Sequence, residues 1–495
     1  MARTTDELID TTDWKRHARW QPGGFFLLET ADTRDVPVRL FLTASLLAEA
    51  EDSLYPQIIN ATRFPGVKLV VLTPDTHHGY GVPVGCVLVT DAGEGAVAMG
   101  PVGYDIGCGM MSASSDVPAE EATPDKRLAF NRAVMRRVDM GAGGKSRKPG
   151  SLDRKEFEEL VRGGADQYVA RHGASFDRSR AERHRIPVDD TWDIPWGGKG
   201  QPERGVKQLG SLGGGNHFIE LQREEPTGHL YVQVHTGSRG FGHGLATNYF
   251  ALAQLERPGE VRDIDLGYFT PDSRHYRSYL NAVAAGGNFA IVNRLILFEQ
   301  VSEAFAEVFG RELSLVYEIS HNLVQREQHP ELGDVLVHRK GATRAFPAGH
   351  PALVGTPWET TGHPVLIPGS NKDYSFILRP LPGASASAYS VNHGAGRRLS
   401  RGKAMKTLSQ RAIDDEYRAA GIVVNTDGRV PLDEAGPCYK PAEEVIQAVL
   451  DAGLARVEHR LFPLSSLKGA DGGPRRPAKH TQGKGAKEKG SSEHY

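Results

Sequence analysis

Four histidines occupy the ends of predicted β-strands, each beside a glycine-rich or polar turn. Side chains at strand ends project from the rim of a sheet, where loops converge and binding sites form. A single histidine in this setting is more often a structural hydrogen-bonding residue, but four in the same setting favour one shared site. These residues are His217, His235, His321 and His393.

A glycine-rich turn at 103–109 places Asp105 and Cys108 three residues apart. Glycines let the backbone approach closely, so both side chains can reach one ion, and a thiolate can bridge two metals. With imidazoles added, this donor set suits Zn, Mn, Fe or Co better than Mg or Ca, which prefer oxygen ligands. The spacing alone is equally compatible with Cys108 as a small buried hydrophobe and Asp105 as a turn former.

Further glycine-rich turns at 209–216, 235–244, 367–370 and 393–398 are typical of anion-binding backbone. Arg239 and Arg397 are their charge partners, with Arg239 a candidate contact for a phosphate and Arg397 the predicted start of a helix. Walker A and strand-linked GxGxxG sequences are absent, which removes most support for a P-loop or Rossmann cofactor site.

Short apolar, β-prone runs alternate with helical patterns between these turns. The pattern predicts an α/β or α+β fold with extensive β-sheet. We expect α+β, with one large domain of β-sheet and flanking helices at 60–469, an N-terminal segment at 1–59 packed on it, and a disordered basic tail at 470–495. The predicted strands are 67–74, 86–91, 217–222, 230–238, 313–322, 364–370 and 387–396, and the predicted helices are 154–172, 282–310, 397–418 and 443–455.

Composition limits the partners and the compartment. The sequence has 59 Lys plus Arg against 61 Asp plus Glu, so nucleic-acid binding must come from a local patch. The three cysteines are too few and too scattered for a disulfide framework, which indicates a reducing compartment. The N-terminus is acidic where a secretory signal would be apolar, and no run reaches the length of a bilayer span. We therefore expect a cytoplasmic protein with no membrane partner.

With these motifs in view, the sequence resembles the RtcB-type RNA ligase family, the GTP- and manganese-dependent enzymes that splice tRNA and repair RNA. The matching segments occur in family order and span about four hundred residues. They are PDTHHGYGVPVG (74–85), GYDIGCG (103–109), QLGSLGGGNHFIE (208–220), HTGSRGFGH (235–243), SHN (320–322), VHRKGATRAFPAG (337–349), PVLIPGS (364–370), NHGAGRRLSRGKA (392–404) and LKG (467–469).

The resemblance implies two manganese ions that share Cys108, the first also bound by Asp105 and His217, the second by His235 and His321. It implies that His393 is the nucleophile that takes GMP from GTP as a phosphoramidate. Glu220 would accept from guanine N1 and N2 while Lys468 donates to a ring acceptor. The implied nucleotide pocket is Asn216, Phe218, Glu220, Asn322, Ser370, Ser375, Gly394, Ala395, Gly396, Arg397, Tyr439 and Lys468.

The function implied is the joining of RNA 2′,3′-cyclic phosphate or 3′-phosphate ends to 5′-hydroxyl ends, in tRNA splicing or repair, with an archease-like activator as a possible partner. Two alternatives stay open: a metal-dependent RNA phosphodiesterase, and a nucleotide-responsive RNA-binding paralogue without ligation. The family pattern differs at Gly107, 109–111, 371–373 and Asn392, which indicates a divergent branch.

Overall fold

The structure, a computed structural model, describes residue 8 and residues 13–173, 175–181 and 185–469. The predicted basic tail at 470–495 lies outside the described residues, and the domain boundaries stay predictions. The strands are β1 (Ala18–Gln21), β2 (Phe25–Leu28), β3 (Val38–Leu40), β4 (Val67–His77), β5 (Val84–Asp91), β6 (Val97–Ala98), β7 (Gly109–Pro118), β8 (Phe218–Glu225), β9 (His229–Thr236), β10 (Tyr268–Phe269), β11 (Ser314–Ser320), β12 (Asn322–His329), β13 (Gly333–Lys340), β14 (Ala342–Arg344), β15 (Val365–Ile367), β16 (Ser375–Pro380), β17 (Ser390–Asn392), β18 (Val423–Val424) and β19 (Ala455–Lys468).

The helices lie between and around these strands. They are α1 (Ala44–Glu49), α2 (Leu54–Ala61), α3 (Pro124–Arg137), α4 (Arg154–His172), α5 (Arg239–Glu256), α6 (Tyr276–Phe309), α7 (Arg401–Thr407), α8 (Gln410–Ala419) and α9 (Ala442–Asp451).

Two large sheets organise the protein. One has seven strands in the order β1-β2-β3-β4-β5-β13-β12, and the other has the order β11-β7-β9-β8-β19-β16-β15, with β18 beside β19. Neighbouring strands are antiparallel except at β3–β4 and β18–β19. Two short pairs, β6–β10 and β14–β17, complete the described sheets. The predicted α+β fold with extensive β-sheet and flanking helices is confirmed.

Antiparallel pairing brings the predicted metal ligands to one edge of the second sheet. Gly109, the first residue of β7, pairs with Thr236 at the end of β9 and with Ser320 at the end of β11. Phe218, the first residue of β8, pairs with His235. Because strand starts alternate with strand ends along this edge, residues far apart in sequence meet there.

The long helix α6 supports this sheet from behind. It packs against β7, β9 and β11, and Ile291, Leu295 and Phe298 join Val232 and Val234 in one apolar cluster. Full burial of each such side chain stabilises the fold by roughly 1.5–3 kcal/mol. By length and composition α6 alone among the described helices could cross a membrane, contrary to the expectation that no run is long enough. However, 89% of its apolar window is buried inside the protein, as in a core helix.

Three of the four predicted helices are present. Helix α6 begins at Tyr276, earlier than the predicted 282, and α9 ends at Asp451, earlier than the predicted 455. Helix α4 has the predicted bounds and begins with a capping box between Asp153 and Glu156. The single helix predicted at 397–418 is wrong, because Ser400 and Ser409 each cap a new helix, α7 and α8. The turn before Arg397 therefore does not begin a helix, and α5, whose first residues are a glycine-rich stretch, was not predicted.

Candidate active site

Five predicted ligands form one cluster at the edge of the second sheet. The Cys108 Sγ lies 3.2 Å from His235 Nε2 and 3.5 Å from His217 Nε2. The His217 Nε2 is 3.1 Å from Asp105 Oδ2, and the two Nε2 atoms of His235 and His321 are 3.2 Å apart. Two groups of three donors result, each within 4.8 Å, and Cys108 belongs to both.

Backbone carbonyls orient two of the imidazoles. The Nδ1 of His217 lies 3.0 Å from the Leu212 carbonyl oxygen, and the Nδ1 of His235 lies 3.1 Å from that of Asn216. Since a carbonyl only accepts, each Nδ1 must carry a proton, and Nε2 is the ring nitrogen that faces the cluster. Metal-binding histidines are held in this way.

Burial sets the protonation states of the cluster. It lowers the pKa of His235 and of His321 well below the ordinary value, which keeps both imidazoles neutral. It also raises the pKa of the Cys108 thiol, as does the nearby Asp105 carboxylate. Burial opposes ionisation of Asp105 too, but the hydrogen bond and charge of His217 lower its pKa to about 2. The cluster thus offers the neutral imidazoles of His235 and His321, the Asp105 carboxylate and a thiol that a bound cation would deprotonate.

The donor set fits the implied metal. One sulfur shared by two groups, three imidazoles and one carboxylate match the preferences of Mn, Fe, Co or Zn, whereas Mg and Ca prefer oxygen shells. Asp105 is further oriented by the Ser238 backbone N–H, 3.0 Å from Oδ1. A Cβ at Gly237 would lie 2.4 Å from the Asp105 carboxylate oxygens, so glycine is required there.

A buried arginine fixes the backbone beside three of the ligands. Arg294 on α6 is fully buried and forms an ion pair with the equally buried Glu318. Its guanidinium donates to the carbonyls of Gly107 (2.7 Å) and Thr236 (3.0 Å) and to Ser320 Oγ (2.7 Å). These three residues directly adjoin Cys108, His235 and His321 in sequence.

The departure from the family pattern at Gly107 has a steric reason. Its φ is 77°, and an added Cβ would lie 2.8 Å from Ala290 Cβ and 3.0 Å from Gly287 Cα on α6. Glycine allows the turn to approach α6 closely enough for its carbonyl to reach Arg294.

His393 lies beside the cluster and is oriented by a residue that the sequence interpretation did not single out. Its Nδ1 is 2.6 Å from Oδ2 of Asp75, a fully buried carboxylate at the end of β4, and its ring centroid is 4.8 Å from that of His321. Burial opposes ionisation of Asp75, but the charge of His393 and its hydrogen bond lower the pKa of Asp75. An ionised Asp75 holds the proton on Nδ1 and leaves Nε2 as the nucleophilic nitrogen.

The backbone N–H groups of His393 and of the residue after it bind the Asp75 carboxylate. The N–H groups of His393 and Gly394 donate to Asp75 Oδ2, at 3.1 and 3.3 Å. They therefore position the Asp75 carboxylate, and within the turn at 393–398, predicted to bind anions, the Gly394 amide is already engaged. Ala395 is buried, and Gly396, with a φ of 79°, packs against the Asp75 carbonyl, 2.2 Å from where a Cβ would stand.

Three lysines could carry the nucleotide in place of His393, but each is either bound to another group of the protein or exposed to solvent. Lys340 is buried, and its ammonium donates to the carbonyls of Tyr80 (2.7 Å) and Val82 (3.1 Å). Lys372 pairs with Glu416, and Lys403 is exposed on α7.

Two predicted guanine-reading residues lie on adjacent strands. Glu220 on β8 pairs with Ser466 on β19, and Phe218 pairs with Lys468, so the four side chains share one face. Burial raises the pKa of Glu220 to about 7, and its Oε1 accepts from Gln222 at 2.7 Å. The Lys468 ammonium lies 5.4 Å from the Phe218 ring centroid.

The other predicted pocket residues surround this face or the metal cluster. Ser375 Oγ lies 3.2 Å from Gln222 Nε2 and Ser370 Oγ donates to Asp373 at 2.7 Å. Asn322 Nδ2 donates to the Asp105 carbonyl at 3.2 Å, and its Oδ1 accepts from the Gly341 amide at 2.8 Å.

Asn216 and the pair Arg397 and Tyr439 mark the outer part of this region. Asn216 is exposed beside the cluster. Arg397 and Tyr439 form a β-bridge, and the Arg397 side chain contacts Glu434 at 3.2 Å and donates to the Asp433 carbonyl at 2.7 Å. The Arg397 guanidinium is thus bound to the protein rather than directed only at a ligand.

Arg239, the candidate RNA-phosphate contact, begins α5 in a strained conformation with a φ of 52°. It donates to the carbonyl of Gly141 at 2.9 Å and to Ser211 Oγ at 3.3 Å. A Cβ at Gly213 would contact both Arg239 Nη1 (2.3 Å) and His217 Nδ1 (2.5 Å), which places this arginine beside the metal cluster.

Comparison with known proteins finds similar sequences over most of the chain. A family model described as "tRNA-splicing ligase RtcB" matches residues 57–469. The chain is 34% identical over 467 residues to a "tRNA-splicing ligase RtcB" of Thermococcus kodakarensis, covering 88% of this chain and 95% of that protein. It is 38% identical over 445 residues to an "RNA-splicing ligase RtcB" of Mycobacterium bovis, covering 83% of this chain and all of that protein (100%). A "tRNA-splicing ligase RtcB" of Nanoarchaeum equitans is 33% identical, with 88% and 96% covered.

Replacement of the shared sulfur tests the cluster. We expect Cys108→Ala to lose manganese from both donor groups, because each would retain only two of its three donors. Metal content after equilibrium dialysis, measured by mass spectrometry, checks this. Cys86→Ala, which removes another buried thiol in β5, is the matched control and should bind the normal amount. Retention of two ions by Cys108→Ala would contradict the shared ligand.

The Asp75–His393 pair gives a second prediction. Asp75→Asn keeps the side-chain size but removes the charge that holds the proton on Nδ1 of His393. We expect the rate of histidine modification by GTP to fall by ~100-fold or more, the usual scale for losing a correctly oriented general base or tautomer. Single-turnover labelling provides the rate, and unchanged manganese content would show that the cluster is intact. A normal rate in this variant would contradict the orienting role.

Proposed function

The chain belongs to the RtcB family of tRNA-splicing ligases, and from this premise we propose that it joins RNA 3′-phosphate or 2′,3′-cyclic phosphate ends to 5′-hydroxyl ends with GTP and two manganese ions. The protein is an RNA ligase acting in tRNA splicing or repair. The observation that carries the finer proposal is the position of an Asp75-oriented histidine beside two donor groups that share one sulfur.

The manganese ions would be held by Asp105, Cys108 and His217 and by Cys108, His235 and His321. When bound, they would supply Lewis-acid neutralisation of negative charge on phosphate oxygens. The imidazoles can bind without losing a proton, because burial keeps His235 and His321 neutral.

His393 would carry the guanylate. Its Nε2 lone pair attacks the α-phosphorus of GTP, the bond from that phosphorus to the bridging oxygen breaks, and pyrophosphate leaves. The proton stays on Nδ1 of His393 and is donated to the Asp75 carboxylate, which stabilises the positive charge that develops on the ring. The product is a phosphoramidate of His393 and GMP.

Two further exchanges would complete ligation. A cyclic end is first opened by water to a 3′-phosphate. An oxygen of that phosphate attacks the guanylate phosphorus, the P–N bond breaks, and His393 is released. The 5′-hydroxyl of the second RNA then attacks the activated 3′-phosphorus, GMP leaves, and the hydroxyl proton passes to solvent. Arg239, beside the cluster, would contact an RNA phosphate during these steps.

Glu220 and Lys468 would select guanine. The Glu220 carboxylate can accept from guanine N1–H and N2–H, while Lys468 can donate to a ring acceptor. Adenine has no N1–H and presents its amino group at another position, so it would leave the buried carboxylate without its donors.

Ligation is supported over the two alternatives. A phosphodiesterase would need the metal cluster but neither the Asp75–His393 pair nor the buried guanine-facing Glu220. A nucleotide-responsive RNA-binding paralogue would need the guanine pocket but neither the metal cluster nor the Asp75–His393 pair. An archease-like activator and a cytoplasmic location stay predictions from the resemblance and the composition.

Labelling with GTP tests the nucleophile and the activity together. With manganese and GTP labelled at the α-phosphate, we expect a covalent adduct that is lost in mild acid, as a histidine phosphoramidate is, and RNA joining by the same preparation. His393→Ala should abolish both while retaining manganese, and ATP should not label. An acid-stable adduct, or label in His393→Ala, would assign the guanylate to a lysine instead.

The raised pKa of Glu220 predicts a pH dependence of base recognition. Above about pH 7 Glu220 is ionised and can accept both guanine donors, whereas below it the carboxyl is protonated in the free protein. The affinity for guanosine, which has no titrating phosphate, should therefore fall about tenfold per pH unit below 7. Equilibrium dialysis checks this, and Glu220→Gln should bind weakly with little pH dependence. A flat profile for the unaltered protein would refute the role of the carboxylate.

A further inference from the structure

Glu434 is a buried carboxylate outside the predicted set of site residues. It lies in the segment between β18 and α9, and only 2% of its surface is exposed. A carboxylate this deeply buried needs compensating donors.

Four side chains supply these donors. The Lys468 ammonium lies 3.0 Å from Oε2, and the Tyr439 hydroxyl donates to the same oxygen. Arg401 Nη2 lies 2.7 Å and Arg397 Nη1 lies 3.2 Å from Oε1. Burial opposes ionisation of Glu434, but the charges of Lys468, Arg401 and Arg397 lower its pKa, so it is a carboxylate.

Three of these partners, Lys468, Tyr439 and Arg397, are residues of the predicted nucleotide pocket. They come from segments that are distant in sequence: the end of β19, the turn before α9 and the turn after β17. The Glu434 carboxylate therefore contacts one pocket residue from each of three separate segments.

We propose that Glu434 is a positioning residue that sets nucleotide selectivity by holding Lys468 away from Glu220. The inference rests on the proposed function, because it takes Glu220 and Lys468 to read guanine. A lysine ammonium has three N–H donors, and the one given to Glu434 leaves two for a base.

The sheet register explains why such a holder is needed. Lys468 is the diagonal neighbour of Glu220 on the shared face of β8 and β19, within reach of a long side chain. Two opposite charges this close in a buried site attract strongly. A direct pair would occupy the carboxylate that guanine requires, yet in the structure Lys468 bonds Glu434 while Glu220 accepts from Gln222.

The charge balance of the cluster separates this role from a merely structural one. Three cations, Lys468, Arg397 and Arg401, surround two carboxylates, Glu434 and Asp433, the latter 2.7 Å from Arg401. Removal of the Glu434 charge leaves more positive charge for phosphates but frees Lys468 to pair with Glu220. Affinity for the base should therefore fall while affinity for phosphate does not, whereas a collapsed pocket would lose both.

The test compares Glu434→Gln with the unaltered full-length protein and with a control, Glu443→Gln. The control removes an exposed carboxylate of α9 that pairs with Arg460 of β19. The probes are guanosine, adenosine and pyrophosphate in equilibrium binding. We expect Glu434→Gln to lose at least ~10-fold in guanosine affinity, the scale of a lost charged hydrogen bond, with a similar loss of preference over adenosine. Pyrophosphate affinity should be undiminished, and Glu443→Gln should behave as the unaltered protein does. An unchanged guanosine preference, or equal losses for guanosine and pyrophosphate, would overturn the proposal.

A double variant tests whether Glu434 acts through Lys468. Glu434→Asp, which keeps a charged partner for the cations, keeps the proposal testable if Glu434→Gln is poorly folded. Once Lys468→Met removes the lysine, Glu434→Gln should cost no further guanosine affinity, since no ammonium remains to be held. Additive losses in Glu434→Gln/Lys468→Met would refute the proposal. Glu434→Asp, which retains the charge, should recover most of the selectivity.

These measurements also separate this inference from the proposed function. GTP labelling and RNA joining by the unaltered protein decide the function, and they do not involve Glu434 variants. If the unaltered protein is labelled by GTP and joins RNA, but the Glu434→Gln variant keeps its guanosine preference, the proposed function stands and the role proposed for Glu434 is refuted. A protein that binds guanosine selectively but never forms an adduct would lose the function while the binding comparison still decides the role of Glu434.

Discussion

The buried ion pair between Arg294 and Glu318 is the constraint on which the site depends. Both side chains are removed from water, a cost that is offset only when every donor finds an acceptor in good geometry. The guanidinium meets this condition by bonding the backbone or hydroxyl beside three ligands of the cluster. A single side chain on α6 thereby fixes the turn before β7 and the ends of β9 and β11 relative to each other, which helps to set the spacing of Cys108, His235 and His321.

The second sheet connects the predicted metal ligands with the predicted nucleotide pocket. Strand β8 begins beside His217 and continues through Phe218 to Glu220, and its neighbour β19 brings Lys468 to the same face. His393 enters from the separate β14–β17 pair and is fixed by Asp75 of the other large sheet. The candidate site thus lies where the two large sheets meet. The predicted metal ligands adjoin the second sheet, whereas the predicted nucleophile His393 follows the β14–β17 pair and is held by Asp75 of the first sheet.

Local pattern predicted much of this arrangement. The strand-end positions of the four histidines and the turn containing Asp105 and Cys108 could be predicted from glycine and apolar periodicity alone. Asp75, Arg294 and Glu434 could not, because their roles arise from contacts with residues such as His393 and Glu318 that no short window contains. Helix α5 was missed because glycines weaken a helix signal. Strand β19 was missed because Pro463 interrupts it, where the structure has a register shift.

The position of β19 in the chain has a consequence for how the protein assembles. It is the last described strand in sequence, yet it lies inside the second sheet, between β8 and β16. A growing chain that has reached α9 already contains all five cluster ligands, but β8 and β16 still face each other as open edges, which are prone to pair wrongly. Insertion of β19 closes this gap and delivers Lys468 in the same event. The lysine proposed to read the base therefore takes its place only when this gap is closed, after all five predicted metal ligands have been synthesised.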